Sequence, residues 1–240
     1  MLGKTLQTIA LLHCLLTHPS LVKCKDLNGM GEIRDSQRLI QRVLVIVPVN
    51  VLVNWQNELA KWVDNLAVPK IPTYNLNNMP KNATAREDEV KRTWGTKGGI
   101  LFTSGQTLLT FLKPVIDRKD EFPYRYAAFF SPGPDGKSRM SDFIIIFTYR
   151  LLLNHLVTRK VIVLDEAHLL LKSDRTATSK ILTVMETKRR ISLTGTPFAN
   201  NLMEYYRMVN WAKPDHLGAS TDFEIDYVKP IVESLNVSSD

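Results

Sequence analysis

Four short runs of β-branched and apolar residues in this 240-residue chain are each followed by a stretch with apolar residues at helical spacing. Val43–Val47 precedes Val51–Trp62, and Gly99–Thr103 precedes Gln106–Ile116. Val161–Leu164 precedes Thr176–Met185, and Arg190–Leu193 precedes Leu202–Trp211. A strand covered on both faces reads as a nearly continuous hydrophobic run, because neither face meets water. The alternation therefore predicts βα units around a parallel sheet, an α/β fold with helices on both faces. In such folds ligands bind at the carboxyl ends of the strands, so the loops after these runs are where chemistry is sought. With 44% hydrophobic residues the chain can form a substantial core.

Two stretches interrupt the rhythm and read as surface insertions, at about 19–41 and 123–160. The first is polar around Asn28-Gly29 and Gly31, and the second carries the turn-forming run Ser131-Pro132-Gly133-Pro134-Asp135-Gly136. No run reaches the roughly 18 apolar residues that would span a bilayer. The apolar stretch Thr8–Leu16 is broken by His13 and lacks a small-residue cleavage site, which argues against a secretory signal. Cys14 and Cys24 have neither the number nor the spacing of a zinc site or a disulfide framework, so a reducing compartment is expected and Cys14 is expected to pack. The net charge of +7 suits a polyanion, whether nucleic acid or an acidic membrane surface, without choosing between them.

The run Val161–Leu164 delivers two adjacent carboxylates, Asp165 and Glu166, to the end of a hydrophobic strand. One carboxylate there can hold a Mg²⁺ that bridges nucleotide phosphates, and its neighbour can orient an attacking water. The competing reading is a simple helix cap. Near the amino end, Gly3-Lys4-Thr5 opens the helical stretch Leu6–Leu16 and matches the close of the phosphate-loop pattern. There Lys4 would reach phosphate and the Thr5 hydroxyl would bind Mg²⁺. A third element, Ser192-Leu193-Thr194-Gly195-Thr196-Pro197, follows another strand and places hydroxyls beside a glycine, either to relay the state of the carboxylates or as an ordinary polar turn.

In this order the elements resemble the motifs of Swi/Snf-type helicase-like ATPases. Gly3-Lys4-Thr5-Leu6-Gln7-Thr8 is similar to motif I, and Val45-Ile46-Val47-Pro48 with Asn54, Trp55, Glu58 and Trp62 to motif Ia. Asp165-Glu166-Ala167-His168 is similar to motif II, and Leu193–Pro197 followed by Asn200-Asn201-Leu202 and Glu204 to motif III. Within the family the chain looks most like the ATRX branch of chromatin remodellers, through Pro132–Asp135, Lys188–Ile191, Glu204-Tyr205 and Leu217-Gly218.

The resemblance implies a RecA-like first lobe (a phosphate-loop NTPase lobe) over 1–240, nuclear, using ATP and Mg²⁺ and acting on double-stranded DNA or chromatin, with no membrane role. It implies that Gly3, Lys4, Thr5, Gln7 and His168 surround ATP, that Asp165 and Thr5 hold Mg²⁺, and that Glu166 and Asp165 are catalytic. Thr194, Gly195 and Thr196 would couple hydrolysis to movement. Pro48, Asn50, Ser104 and Gln106, at the ends of two strands, would meet DNA phosphates. Trp55 and Trp62 are expected in the core on one helix face, and Lys188-Arg189-Arg190 as solvated charge.

Departures from the family pattern shape the expectation for this chain by itself. Its start matches only the close of the phosphate loop, so the leading glycine and the first strand are expected to be absent, as is the second lobe with its arginine after Asp240. Poor hydrolysis by the chain alone follows, and the alternative reading is a non-catalytic lobe that binds DNA or protein. A small phosphate-loop kinase is disfavoured by Leu193–Pro197 with Asn200-Asn201-Leu202. Gly136–Lys160 stands where the branch has almost no spacer, as an extra strand and helix or as translated intron, and Thr103-Ser104-Gly105-Gln106 lacks the aromatic usual after glycine.

Overall fold

The computed structural model describes residues 3–18, 21, 40–64, 70–117, 160–185, 187–197 and 201–237. Nearly all of the two expected insertions, with Cys24, Pro132–Asp135 and Asn200, lies outside the described residues.

Five parallel strands form one sheet in the order β2-β3-β1-β4-β5, where β1 is Arg42–Ile46, β2 Thr73–Asn75, β3 Gly99–Thr103, β4 Lys160–Leu164 and β5 Arg190–Ser192. The three central strands are the apolar runs read from the sequence, and almost every residue in them is buried. Their register is level: Arg42 pairs with Gly99 on one side and Lys160 on the other, and Ile46 with Thr103 and Leu164. The loops that leave these strands therefore start side by side along one edge. The expected α/β lobe with a parallel sheet is what the chain forms.

Period-two alternation divides the side chains between two cores. Val43, Val45, Val161 and Val163 face a layer made by α1 (Lys4–Thr17) and α2 (Val49–Leu59), through Ile9, Leu12, Leu52 and Trp55. Leu44, Ile46, Ile162 and Leu164 face the other layer, made by α3 (Ala83–Val90), α4 (Gly105–Asp117), α6 (Ala177–Val184) and α7 (Leu202–Ala212). Short α5 (Ala167–Leu170) follows β4, and α8 (Ser220–Phe223) and α9 (Lys229–Val237) close the described chain. No described helix is long and apolar enough to cross a membrane.

Three expectations need correction. After Leu59, α2 widens into a π turn at Ala60–Asp64. The wider turn advances the buried face by an extra residue. Val63 takes the core position instead, while Trp62 is 39% exposed beside Lys61. Cys14 is exposed, because α1 buries Thr8, Ile9, Leu12 and Leu16 and position 14 points the other way. Arg190 is no solvated charge: its guanidinium donates to the carbonyls of Thr187, Met185 and Trp211 and stacks on the Trp211 ring. It thus ties β5 to the carboxyl ends of α6 and α7, where helix carbonyls lack partners of their own. Lys188 and Arg189 remain exposed.

At the amino ends of the strands, Lys160 is 3% exposed, with its ammonium 4.5 Å from the centre of the Trp94 ring. An apolar cavity lies there too, lined by Trp94, Leu112, Ile162 and Met185, at the opposite end of the sheet from the carboxyl-edge loops. The ring attracts the cation. Burial and the like charge of Arg42 nevertheless push the lysine well below its ordinary pKa. An amine depressed in the folded state keeps its proton longer in the unfolded one, so stability rises with pH from the folded pKa up to about 10.5. Lys160→Met should therefore raise the urea midpoint at pH 7 and flatten this alkaline rise, whose slope is at most about 1.4 kcal/mol per pH unit. Urea titrations of both proteins between pH 7 and 11 check this.

Candidate functional site

The residue that follows β4 continues its alternation onto the face of Val161 and Val163. Asp165 thus enters the α1/α2 layer, and its backbone N–H donates to the Ile46 carbonyl at 2.9 Å. The carboxylate is 7% exposed. The Trp55 indole Nε1 donates to Oδ2 at 2.8 Å, and the Glu166 backbone N–H donates to Oδ1 at 3.0 Å. Among the described residues no Lys, Arg or His nitrogen pairs with it. A buried carboxylate with two N–H donors and no cation carries uncompensated charge, which makes the pocket attractive to a cation.

Glu166 has a left-handed backbone, φ 46° and ψ 50°. Non-glycine residues pay for that conformation, and such outliers collect at functional sites. Here it turns consecutive carboxylates in different directions. Glu166 stands at the N-cap of α5 but makes no side-chain cap, so the helix-cap reading does not account for it. Instead Lys4 Nζ donates to its Oε1 at 3.1 Å, and His168 Nδ1 lies 3.5 Å from its Oε2. The same His168 nitrogen is 2.9 Å from Thr194 Oγ1, which accepts the Thr196 backbone N–H at 3.2 Å. Residues from the first, second and third sequence motifs therefore form one connected chain, Lys4–Glu166–His168–Thr194–Thr196. The turn after β5 is held in place by Ala167, whose N–H donates to the Leu193 carbonyl.

Two glycines serve this arrangement by their bareness. Gly3 begins α1 with φ +68°. A Cβ on Gly195 would stand 3.3 Å from Lys4 Nζ, so the missing side chain leaves room for the ammonium. Thr5 is half-buried in the first turn of α1 and Gln7 is exposed there.

At the neighbouring strand ends, Pro48 is the N-cap of α2 and Asn50 is exposed in its first turn. Gln106 is exposed in the first turn of α4. Ser104 is 2% exposed, and its hydroxyl donates to Thr107 Oγ1 and accepts the Thr107 N–H. It secures the first turn of α4 from within. Sequence reasoning placed Trp55 in the core, where it is, but missed its bond to Asp165, a residue 110 positions away. A buried indole needs an acceptor for its N–H, which was the available hint.

No group of three or more His, Cys, Asp or Glu among the described residues could hold a metal unaided. The donors present, one buried carboxylate and one hydroxyl beside a lysine, fit a hard oxygen-seeking cation such as Mg²⁺ that is shared with phosphates and water. Asp165 and Thr5 are the residues that would hold it.

The model of the SNF2-related domain matches residues 1–239. The chain belongs to this family. It is 34% identical to a transcriptional regulator ATRX homologue of Caenorhabditis elegans over 96% of its length, and 30% identical to human transcriptional regulator ATRX over 96%. It is 28% identical to helicase ARIP4 of Xenopus tropicalis over 99% of its length. The chain spans only 15%, 8% and 16% of these relatives, respectively.

The strained backbone at Glu166 yields a stability ranking. Glu166→Val should be less stable than Glu166→Gly by about 1–2 kcal/mol, since a β-branched side chain tolerates the left-handed region worst. Thermal unfolding of the two variants measures the difference.

Proposed function

We propose that this chain is the ATP-binding and hydrolysing lobe of a DNA-dependent ATPase, a double-strand DNA translocase of the chromatin-remodelling kind. The observation that carries the reading is the connected chain Lys4–Glu166–His168–Thr194 beside the buried Asp165, at the carboxyl edge of a parallel sheet. Mg²⁺·ATP supplies the phosphoryl group and its electrophilic activation when bound.

In this reading the first turn of α1, opened by Gly3 and carrying Gln7, offers backbone N–H groups to phosphate, and Lys4 turns its ammonium from Glu166 to the phosphates. Asp165 and Thr5 face the cation. Glu166, released from Lys4, orients the attacking water and takes its proton. His168 stands between Glu166 and Thr194, so a change at the carboxylate reaches the Thr194-Gly195-Thr196 turn through one imidazole. That turn is the natural route to movement.

Pro48, Asn50 and Gln106 form the DNA-facing edge, with Ser104 holding the turn that presents Gln106. Two helix amino ends there, α2 and α4, suit backbone phosphates and carry no base readout. The names of the relatives, transcriptional regulators and a helicase, agree with a chromatin substrate and a nuclear location.

In the full-length protein, Glu166→Gln should leave ATP binding in place and lower hydrolysis by at least about 100-fold. Double-stranded DNA should raise the rate of the unsubstituted protein. Steady-state phosphate release with and without DNA tests both, and equal rates in the two conditions would remove the translocase reading.

A further inference from the structure

We propose that Trp55 is the positioning residue for Asp165, through which helix α2 sets the orientation of the cation-facing carboxylate and transmits to it any displacement of its own first turn. The inference rests on the reading of Asp165 as a Mg²⁺ carboxylate and goes beyond it by naming what aims that group.

Trp55 is 1% exposed, with its ring 6.4 Å from that of Phe102 on β3. The packing fixes the indole plane, and the plane fixes the direction of the N–H. That N–H meets Oδ2 of Asp165 at 2.8 Å, while the Glu166 backbone N–H holds Oδ1. With one donor on each oxygen, the carboxylate cannot rotate without breaking a bond that has no replacement in an apolar layer. A buried tryptophan satisfied by any nearby acceptor would explain the bond alone. It would not explain why the acceptor is a buried carboxylate with no cation beside it among the described residues, at the ligand-binding edge of the sheet.

The second half of the proposal is positional. α2 begins at Pro48, and Trp55 lies about two turns further, roughly 10 Å along the axis. The first turn is exposed at Val49 and Asn50, so its surface is open to a partner while its middle grips the site. The two turns between Pro48 and Trp55 move as a rod, so a polyanion seated on the first turn would displace the indole and, with it, Oδ2.

The test uses Trp55→Phe, which keeps an aromatic ring against Phe102 and removes the donor together with part of the indole's buried volume. Mn²⁺ binding in the presence of the non-hydrolysable analogue AMP-PNP is read by electron paramagnetic resonance. Loss of an outer partner of a metal carboxylate typically costs about 10–100-fold in metal affinity, and that loss is expected here. In the unsubstituted protein, the ¹H–¹⁵N resonance of the Trp55 indole should shift on adding Mg²⁺·AMP-PNP and, separately, on adding double-stranded DNA. The indole resonance needs no variant, so it decides the matter should Trp55→Phe fail to fold. Equal Mn²⁺ affinity in the folded variant, or an indole resonance unmoved by Mg²⁺·AMP-PNP or by DNA, would overturn the proposal. Absence of any Mn²⁺·AMP-PNP binding by the unsubstituted protein would instead remove the ATPase reading, and the positioning role with it.

Discussion

A carboxylate that is buried, hydrogen-bonded and without a cationic partner among the described residues is the constraint around which this fold is arranged. Asp165 gains its place from β4, whose alternation sends positions 161, 163 and 165 to one face and 162 and 164 to the other. A one-residue slip of β4 would put the carboxylate into the layer of α4 and α6 and leave the Trp55 indole without an acceptor. Register is therefore tied twice, by the apolar residues of the strand and by a single polar contact at its end. The left-handed turn at Glu166 follows from the same demand: the chain must change direction at once so that Glu166 N–H can close on Asp165 while the Glu166 side chain leaves for α1.

The level register of the three central strands does the rest. Because Ile46, Thr103 and Leu164 are paired across the sheet, the segments that follow them emerge at the same height. Val47 and Asp165 each extend the ladder by a further hydrogen bond, to Thr103 and Ile46. The helices that begin beyond this line, α2 and α4, present their amino ends on the edge that holds the carboxylates. At the other ends of the strands stand two basic residues, the buried Lys160 and the half-buried Arg42. Arg42 is satisfied by the carbonyls of Trp94 and Gly95, and Lys160 by the Trp94 ring. Chemistry and structural support are thus separated by the length of a strand.

Much of this was legible in the sequence because burial on both faces writes itself as an apolar run. β1, β3, β4 and β5, with the helices after them, appear within a few residues of where their patterns put them. β2 was not legible: Thr73–Asn75 is three residues long and lies at the sheet edge, with no apolar run to mark it. Nor was α3, Ala83–Val90, whose polar sequence carries hardly any stripe and whose start depends on the Asn82 side chain capping Thr84 and Ala85. Trp62 was misplaced because helical spacing assumes a constant pitch, and the π turn after Leu59 breaks it. Arg190 looked like one of three surface charges, since nothing in a linear run tells which member faces two helix ends. The motif residues were legible as types, but their connections were not: Lys4 to Glu166 and Trp55 to Asp165 each join positions more than 100 apart.

The two neighbouring carboxylates end up in opposite physical situations. Asp165 is held by one donor on each oxygen and meets almost no solvent. Glu166 is about one-third exposed, and its partners are side chains that reach it from a helix terminus and from its own turn. An ion pair in such partial exposure contributes little to stability, on the order of 1 kcal/mol or less, so it breaks without endangering the fold. Environments that differ this sharply divide roles between adjacent acids, one kept still to orient and the other free to change partner. The half-buried Lys4–Glu166 pair is then the part of the site that can open, and Asp165 with Trp55 the part against which it opens.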